Sequence, residues 1–172
     1  SGVTAGKYAG RLRSFSFYLL ATLLFLGAGL LLWRPLPLEL AAEVQIFVLA
    51  AGALLYFPGL VLVLWARIAL GKMYFVSTSQ AVQLFAGHEL VTHGPFAIVR
   101  HPMYLGLVLA ALGGLLLYQT WTMVVFSFFA PFVLLRAHGE EKLLAAAFGR
   151  QWQDYCNRVP AFLPVLWRRN AS

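Results

Sequence analysis

The sequence predicts an all-α integral membrane protein. Four transmembrane helices are expected, the last two forming a tight helical hairpin, with an amphipathic cytoplasmic helix after them. Three observations carry this expectation. Of the 172 residues, 61% are hydrophobic and 11% charged, whereas soluble domains run at about 45–50% apolar and about 25% charged. Four apolar runs approach or exceed the length needed to cross a bilayer. The basic residues fall almost entirely on one side of those runs.

The runs follow in order. Phe15 to Trp33 holds 19 residues without a charge, and Val44 to Ala66 holds 23. A span needs about 20 apolar residues, with a lower limit near 17, so both suffice alone. Met103–Tyr118 and Trp121–Leu135 are shorter and are separated only by Gln119 and Thr120. They read as an antiparallel hairpin; one long buried helix is the alternative, which Pro131 and the polar pair disfavour. The expected spans are therefore about 15–33, 44–66, 103–118 and 121–135 within a single domain, 1–172. Residues 67–102 are the cytoplasmic connection and 136–172 the cytoplasmic tail, and together these two form the expected cofactor site.

Charge gives the orientation. Lys7, Arg11 and Arg13 precede the first run, and Arg67, Lys72 and Arg100 lie between the second and third. Arg136, Lys142, Arg150, Arg158, Arg168 and Arg169 follow the fourth, leaving Arg34 as the one basic residue in the opposite loops. Basic residues near span ends stay in the cytoplasm, which places both termini there, as in a protein of the bacterial inner membrane. The net charge of +7 thus reads as topology, with no nucleic-acid partner. The single Cys156 excludes an intrachain disulfide. The first run is taken as a span and not a cleaved signal, since no clear small-residue cleavage site follows it.

Local features refine the map. Gly106, Ala110 and Gly114, with Gly113 beside them, form a small-residue row that lets two helix backbones approach closely. Pro58 removes a backbone donor in mid-span, and a kink is expected there. After Gly139, Leu144, Phe148, Trp152 and Tyr155 recur at spacings of four and three, which predicts an amphipathic helix from Glu140 to Arg158. Such a helix can lie on the membrane surface or fold back across the hairpin base. His88 and His93 flank a glutamate but stand five apart, where a zinc-hydrolase helix needs four; no metal site is expected.

The chemistry concentrates in two polar clusters. Arg100, His101 and the helix-starting Pro102 open the third span, and Arg136, His138, Glu140 and Glu141 follow the fourth. Ionisable groups feeding into a lipid-embedded helix are functional candidates. The plain readings remain beside this one: Arg100 as an anchor, His101 as a cap, Pro102 as an ordinary first-turn residue. Arg136 with Glu140 can be no more than an exposed i,i+4 pair of about 0.3–0.5 kcal/mol. A short hairpin turn, however, would bring both clusters to one end of the bundle. There His101 and the paired glutamates would suit a cationic, amino-acid-like ligand.

Larger motifs then stand out. Gly94-Pro95-Phe96, Arg100-His101-Pro102-Met103-Tyr104-Leu105-Gly106, Arg136-x3-Glu140-Glu141-x-Leu143 and Phe148-Gly149-x2-Trp152-x2-Tyr155-x2-Arg158-Val159-Pro160 occur in that order. Upstream lie Trp65-x-Arg67-x2-Leu70-Gly71 and Leu90-Val91-Thr92-x-Gly94-Pro95. Over residues 65–164 the chain resembles the isoprenylcysteine carboxyl methyltransferase and phospholipid methyltransferase superfamily. It departs from the common pattern at Phe96-Ala97, where an aromatic–arginine pair is frequent, and in having four spans where many members have more.

The resemblance implies S-adenosylmethionine as cofactor, bound at the cytoplasmic face of the last spans by His101, Tyr104, Glu140 and Glu141. Leu90, Val91, Gly94, Arg100 and Pro102 complete the candidate cofactor set. Arg136, Glu140 and Arg158 are the candidate catalytic residues. Either arginine could grip an acceptor carboxylate bidentately, and Glu140 could take the proton of an amine acceptor. The expected partners are membrane lipids and a lipophilic or lipid-modified substrate. Two other classes stay open: a sterol-reductase-like membrane enzyme using a nicotinamide cofactor, and a non-catalytic membrane subunit supported by the small-residue row.

Overall fold

The computed structural model describes residues 15–71 and 89–163. Expectations resting on 1–14, 72–88 and 164–172 fall outside it, including His88, Lys7, Arg11, Arg13, Lys72, Arg168 and Arg169. The elements of the described residues are α1 (Phe15–Leu31), α2 (Ala42–Leu70), a 3₁₀ turn (Gly94–Ala97), α3 (Pro102–Tyr118), α4 (Trp121–Phe129), α5 (Phe132–Phe148) and α6 (Arg150–Arg158), with one isolated β-bridge between Pro35 and Thr120.

Two helical stretches, Ala42–Leu70 and Trp121–Phe148, are long and apolar enough to cross a bilayer. α1 and α3 have 17 residues each, or about 26 Å at 1.5 Å per residue, near the lower limit for a span. The apolar side chains face outward: Phe47 is 75% exposed, Leu54 74% and Ile68 76%. Water does not tolerate a continuous surface of this kind, and lipid does. The chain is a membrane protein.

α2 and α3 pack backbone to backbone. A Cβ on Gly59 would lie 2.7 Å from the Ala110 nitrogen, and one on Gly106 would lie 2.7 Å from the Gly59 carbonyl. At Gly113 it would overlap the Tyr56 nitrogen and meet the Gly52 carbonyl at 2.7 Å. The small-residue row is therefore filled by this chain's own second helix, and Gly114 faces Met123 of α4 and Tyr56. α2 runs unbroken through Pro58, with one ladder bond lost there. Gly113→Ala is expected to force the two helices apart at a cost of about 1–3 kcal/mol. Thermal unfolding in detergent should show the loss, while Gly27→Ala, whose Cβ would meet nothing within 4 Å among the described residues, should not lower stability.

The α3–α4 connection is the expected two-residue turn. Gln119 takes a left-handed conformation (φ 47°), and the Thr120 hydroxyl accepts the Met123 N–H at 3.4 Å to cap α4. The α1–α2 loop clamps this tip. Leu36 N–H donates to the Gln119 carbonyl at 2.7 Å, Trp121 N–H donates to the Arg34 carbonyl at 3.1 Å, and the Thr122 hydroxyl donates to the Gly29 carbonyl at 2.7 Å. The Arg34 loop and the hairpin tip thus share one end of the bundle. The 3₁₀ turn and the start of α3 lie at the other.

Two expected boundaries need correction. The fourth span, placed at 121–135, does not end there as a helix: α5 continues to Phe148. Ala130 and Pro131 both keep right-handed helical angles, and bonds from Val133 to Ala130 and Leu134 to Pro131 tighten the local turn. Arg136 marks a change in polarity, and arginine is itself a good helix former. The amphipathic helix expected over Glu140–Arg158 is in fact two helices, broken at Gly149 with φ 49°, the backbone region glycine enters without penalty. α6 folds back: Trp152, Tyr155 and Val159 are buried, with Leu90, Leu144, Phe148 and Cys156 packed against them.

Candidate functional site

The hairpin brings the two polar clusters together. His101 Nε2 and Glu141 Oε1 are 2.9 Å apart, and the Arg100 guanidinium meets the same oxygen at 2.9 Å. One turn along α3, the Tyr104 hydroxyl donates to Glu140 Oε1. Arg136 Nε meets that oxygen at 3.4 Å from one turn back on α5. Each glutamate therefore joins a guanidinium to a ring on α3 or at its N-cap. Consecutive residues on a helix point about 100° apart, which is why Glu140 and Glu141 serve different partners.

His101 is the N-cap of α3 and is only 6% exposed. Burial holds its imidazole below the ordinary value, while Glu141 and Glu140 pull it up and Arg100 pushes it down. The ring is therefore neutral near pH 7 and has one N–H to give. It stacks with Tyr104 at 5.8 Å and 26°, and with Phe162 at 5.2 Å and 29°.

Arg100 has further partners that spacing does not disclose. Its guanidinium donates to Cys156 Sγ at 2.8 Å and lies 5.7 Å above the Trp152 ring. Burial pushes the Cys156 thiol up, so it remains protonated beside the arginine. Among the described residues, Arg100 Nε is buried without a hydrogen-bond partner. Tyr155, its hydroxyl pushed up to about 12 by burial, donates to the Phe96 carbonyl at 2.7 Å and ties α6 to the 3₁₀ turn.

The other candidates lie as follows. Pro102 is fully buried at the start of α3. Gly94 takes φ 61°, its Cα facing Ala69 and Trp65 of α2. Leu90 packs against the α6 core, and Val91 beside it is half-buried. Arg158 stands apart from the cluster: it is exposed and its Nε donates to the Asp154 carbonyl at 3.2 Å. Cys156 and Phe162 were not among the sequence candidates. No periodicity points to either, because both act from the tail against a residue more than fifty positions upstream.

The comparisons with known proteins bear on this region. Residues 47–151, from α2 to the first turn of α6, match the phospholipid methyltransferase family. Protein-S-isoprenylcysteine O-methyltransferase B of Arabidopsis thaliana is 36% identical over 85 residues, 46% of this chain and 41% of that protein. Methanethiol S-methyltransferase of Pseudomonas deceptionensis is 28% identical over 167 residues, 90% of this chain and 61% of that protein. A Delta(14)-sterol reductase of Mus musculus is 32% identical over 88 residues, 49% of this chain and 21% of that protein. The chain spans less than half the length of the plant relative. The family match contains both glutamates, Arg100, His101, Tyr104 and Arg136, and the chain belongs to the phospholipid methyltransferase family.

Proposed function

We propose that the protein is an integral membrane methyltransferase that moves a methyl group from S-adenosylmethionine to a lipophilic acceptor. One observation supports this most: Glu140 and Glu141 each join a guanidinium to an α3-side ring at one end of the bundle. Four spans with both termini and the site in the cytoplasm fit the charge bias and the shared end of the two polar clusters.

The residues suit the cofactor's chemistry. Its ammonium and hydroxyls need acceptors, and the Glu141 contacts described above all use Oε1, leaving Oε2 for a ligand. Its carboxylate needs a donor, and Arg100 Nε is a buried N–H without a partner among the described residues. When bound, S-adenosylmethionine supplies a sulfonium methyl open to in-line displacement. The protein's part is then positioning, which holds reacting atoms about 3–3.5 Å apart. Arg100 and His101 fix Glu141; Tyr104 and Arg136 fix Glu140.

For the acceptor, the charges of the cluster matter. Two guanidiniums cancel two carboxylates and His101 is neutral, so an anionic acceptor meets no net repulsion. We favour a carboxylate such as that of an isoprenylcysteine, oriented by Arg136, over an amine lipid, which must first lose a proton to Glu140. The small-residue row no longer supports a non-catalytic subunit, because α2 occupies it. The likeness to a sterol reductase keeps a nicotinamide-dependent reading as the competitor.

The full chain in detergent, given radiolabelled S-adenosylmethionine, should label a farnesylcysteine analogue more than an amine phospholipid or a small thiol. Labelling of the amine lipid alone would overturn the acceptor assignment. Labelling of none would overturn the reading as a methyltransferase for these classes.

A further inference from the structure

The last described residues of the chain, 159–163, lie beyond the family match, which ends at residue 151. Yet they hold the start of α3. The Arg100 N–H donates to the Pro160 carbonyl at 2.8 Å, and the His101 N–H donates to the Ala161 carbonyl at 3.0 Å. Val159 is buried in the α6 core, which anchors the segment from behind. These bonds carry Phe162 to the imidazole, 61 positions upstream in sequence.

The imidazole's plane needs setting. The ring torsion of histidine is broad and loosely two-fold, so rotamer preference alone leaves Nε2 free to swing away from Glu141. Two near-parallel neighbours, Tyr104 and Phe162, restrict that swing. They also leave the ring only 6% exposed. Arg100 is braced by the same tail, through Cys156 and Trp152. Both donors on Glu141 Oε1 are thus braced by residues 152–162.

We propose that Phe162 is a positioning residue for the cofactor site: it covers and orients His101 so that Nε2 and Arg100 together pin one oxygen of Glu141 and present the other to the ligand. This rests on the reading of Glu141 as a cofactor contact, whereas the cover over His101 stands on geometry alone. Among the described residues, the charged and titratable groups facing the imidazole are Glu141, Glu140 and Arg100, with the Tyr104 phenol stacked on it. Desolvation is the largest influence on its proton affinity, and together with Arg100 it outweighs the two carboxylates. Removing the cover therefore admits water, favours the charged form, and moves the imidazole up toward its ordinary value of 6.5.

The test uses the full chain in detergent micelles with isotope-labelled histidine and no cofactor. The chain has four histidines, and His101→Gln identifies the ring signal of interest. In Phe162→Ala the His101 signal should titrate at higher pH than in the wild-type chain, and Phe162→Tyr, which keeps the flat ring, should restore the wild-type curve. S-adenosylmethionine affinity should follow the same order, falling at least threefold in Phe162→Ala and returning in Phe162→Tyr. If Phe162→Ala loses helical content, Phe162→Val gives the same titration with a smaller truncation. An unchanged His101 curve in the truncated variant overturns the proposal. Failure of the wild-type chain to bind S-adenosylmethionine would instead remove the cofactor reading, with the apo titration still deciding whether Phe162 covers His101.

Discussion

Glu141→Gln is expected to weaken S-adenosylmethionine binding by more than tenfold in a protein that still inserts and folds. The substitution keeps the shape and removes the charge that Arg100 and His101 both address at 2.9 Å. A hydrogen bond to a charged group contributes about 1.5–3 kcal/mol, and each 1.4 kcal/mol is about tenfold in affinity. The ligand loses such a bond, and Arg100, at 16% side-chain exposure, loses its counter-charge. His101→Ala should act in the same direction by freeing Glu141 to turn. Calorimetric titration of both variants checks this, and unchanged affinity in both would reduce the pair to a structural tie between α3 and α5.

Arg136→Lys should lower the methyl-transfer rate at least tenfold while cofactor affinity stays close to wild type. Lysine meets the topological requirement equally, since orientation depends on charge and not on shape. It cannot reproduce a planar guanidinium, held at Glu140 through Nε at 3.4 Å, that can also address a carboxylate with parallel donors. Steady-state rates with the labelled methyl donor, measured beside binding, separate the two roles. Full activity would leave Arg136 an anchor. Arg158 is a poor substitute for that role, since its Nε is committed to Asp154 one turn back.

The meeting of the two clusters was legible because hairpin arms of similar length must return to the same level. His101 precedes Gln119 by 18 residues and Glu140 follows Thr120 by 20, so a two-residue turn sets them side by side. The small-residue row was legible as a packing seam, but its partner was not, since Gly52 and Gly59 are seven apart and show no row of their own. Arg136 reads in the sequence as the end of a span, and charge does mark where lipid stops, but the backbone ladder continues past it to Phe148. The spacing of Leu144, Phe148, Trp152 and Tyr155 was real as a cluster but crossed a break at Gly149. One core drawn from two helices preserves such a period. The contacts from Cys156, Pro160, Ala161 and Phe162 were not legible, because tail-to-connector pairing leaves no repeat in a sequence.

We read this end of the bundle as a site for S-adenosylmethionine. Isothermal titration of the full chain in detergent with S-adenosylmethionine, and separately with a reduced nicotinamide dinucleotide, tests it most directly. The methyl donor is expected to bind saturably, more weakly in Glu141→Gln, and the dinucleotide not to bind. Binding of the dinucleotide and not the methyl donor would contradict that reading.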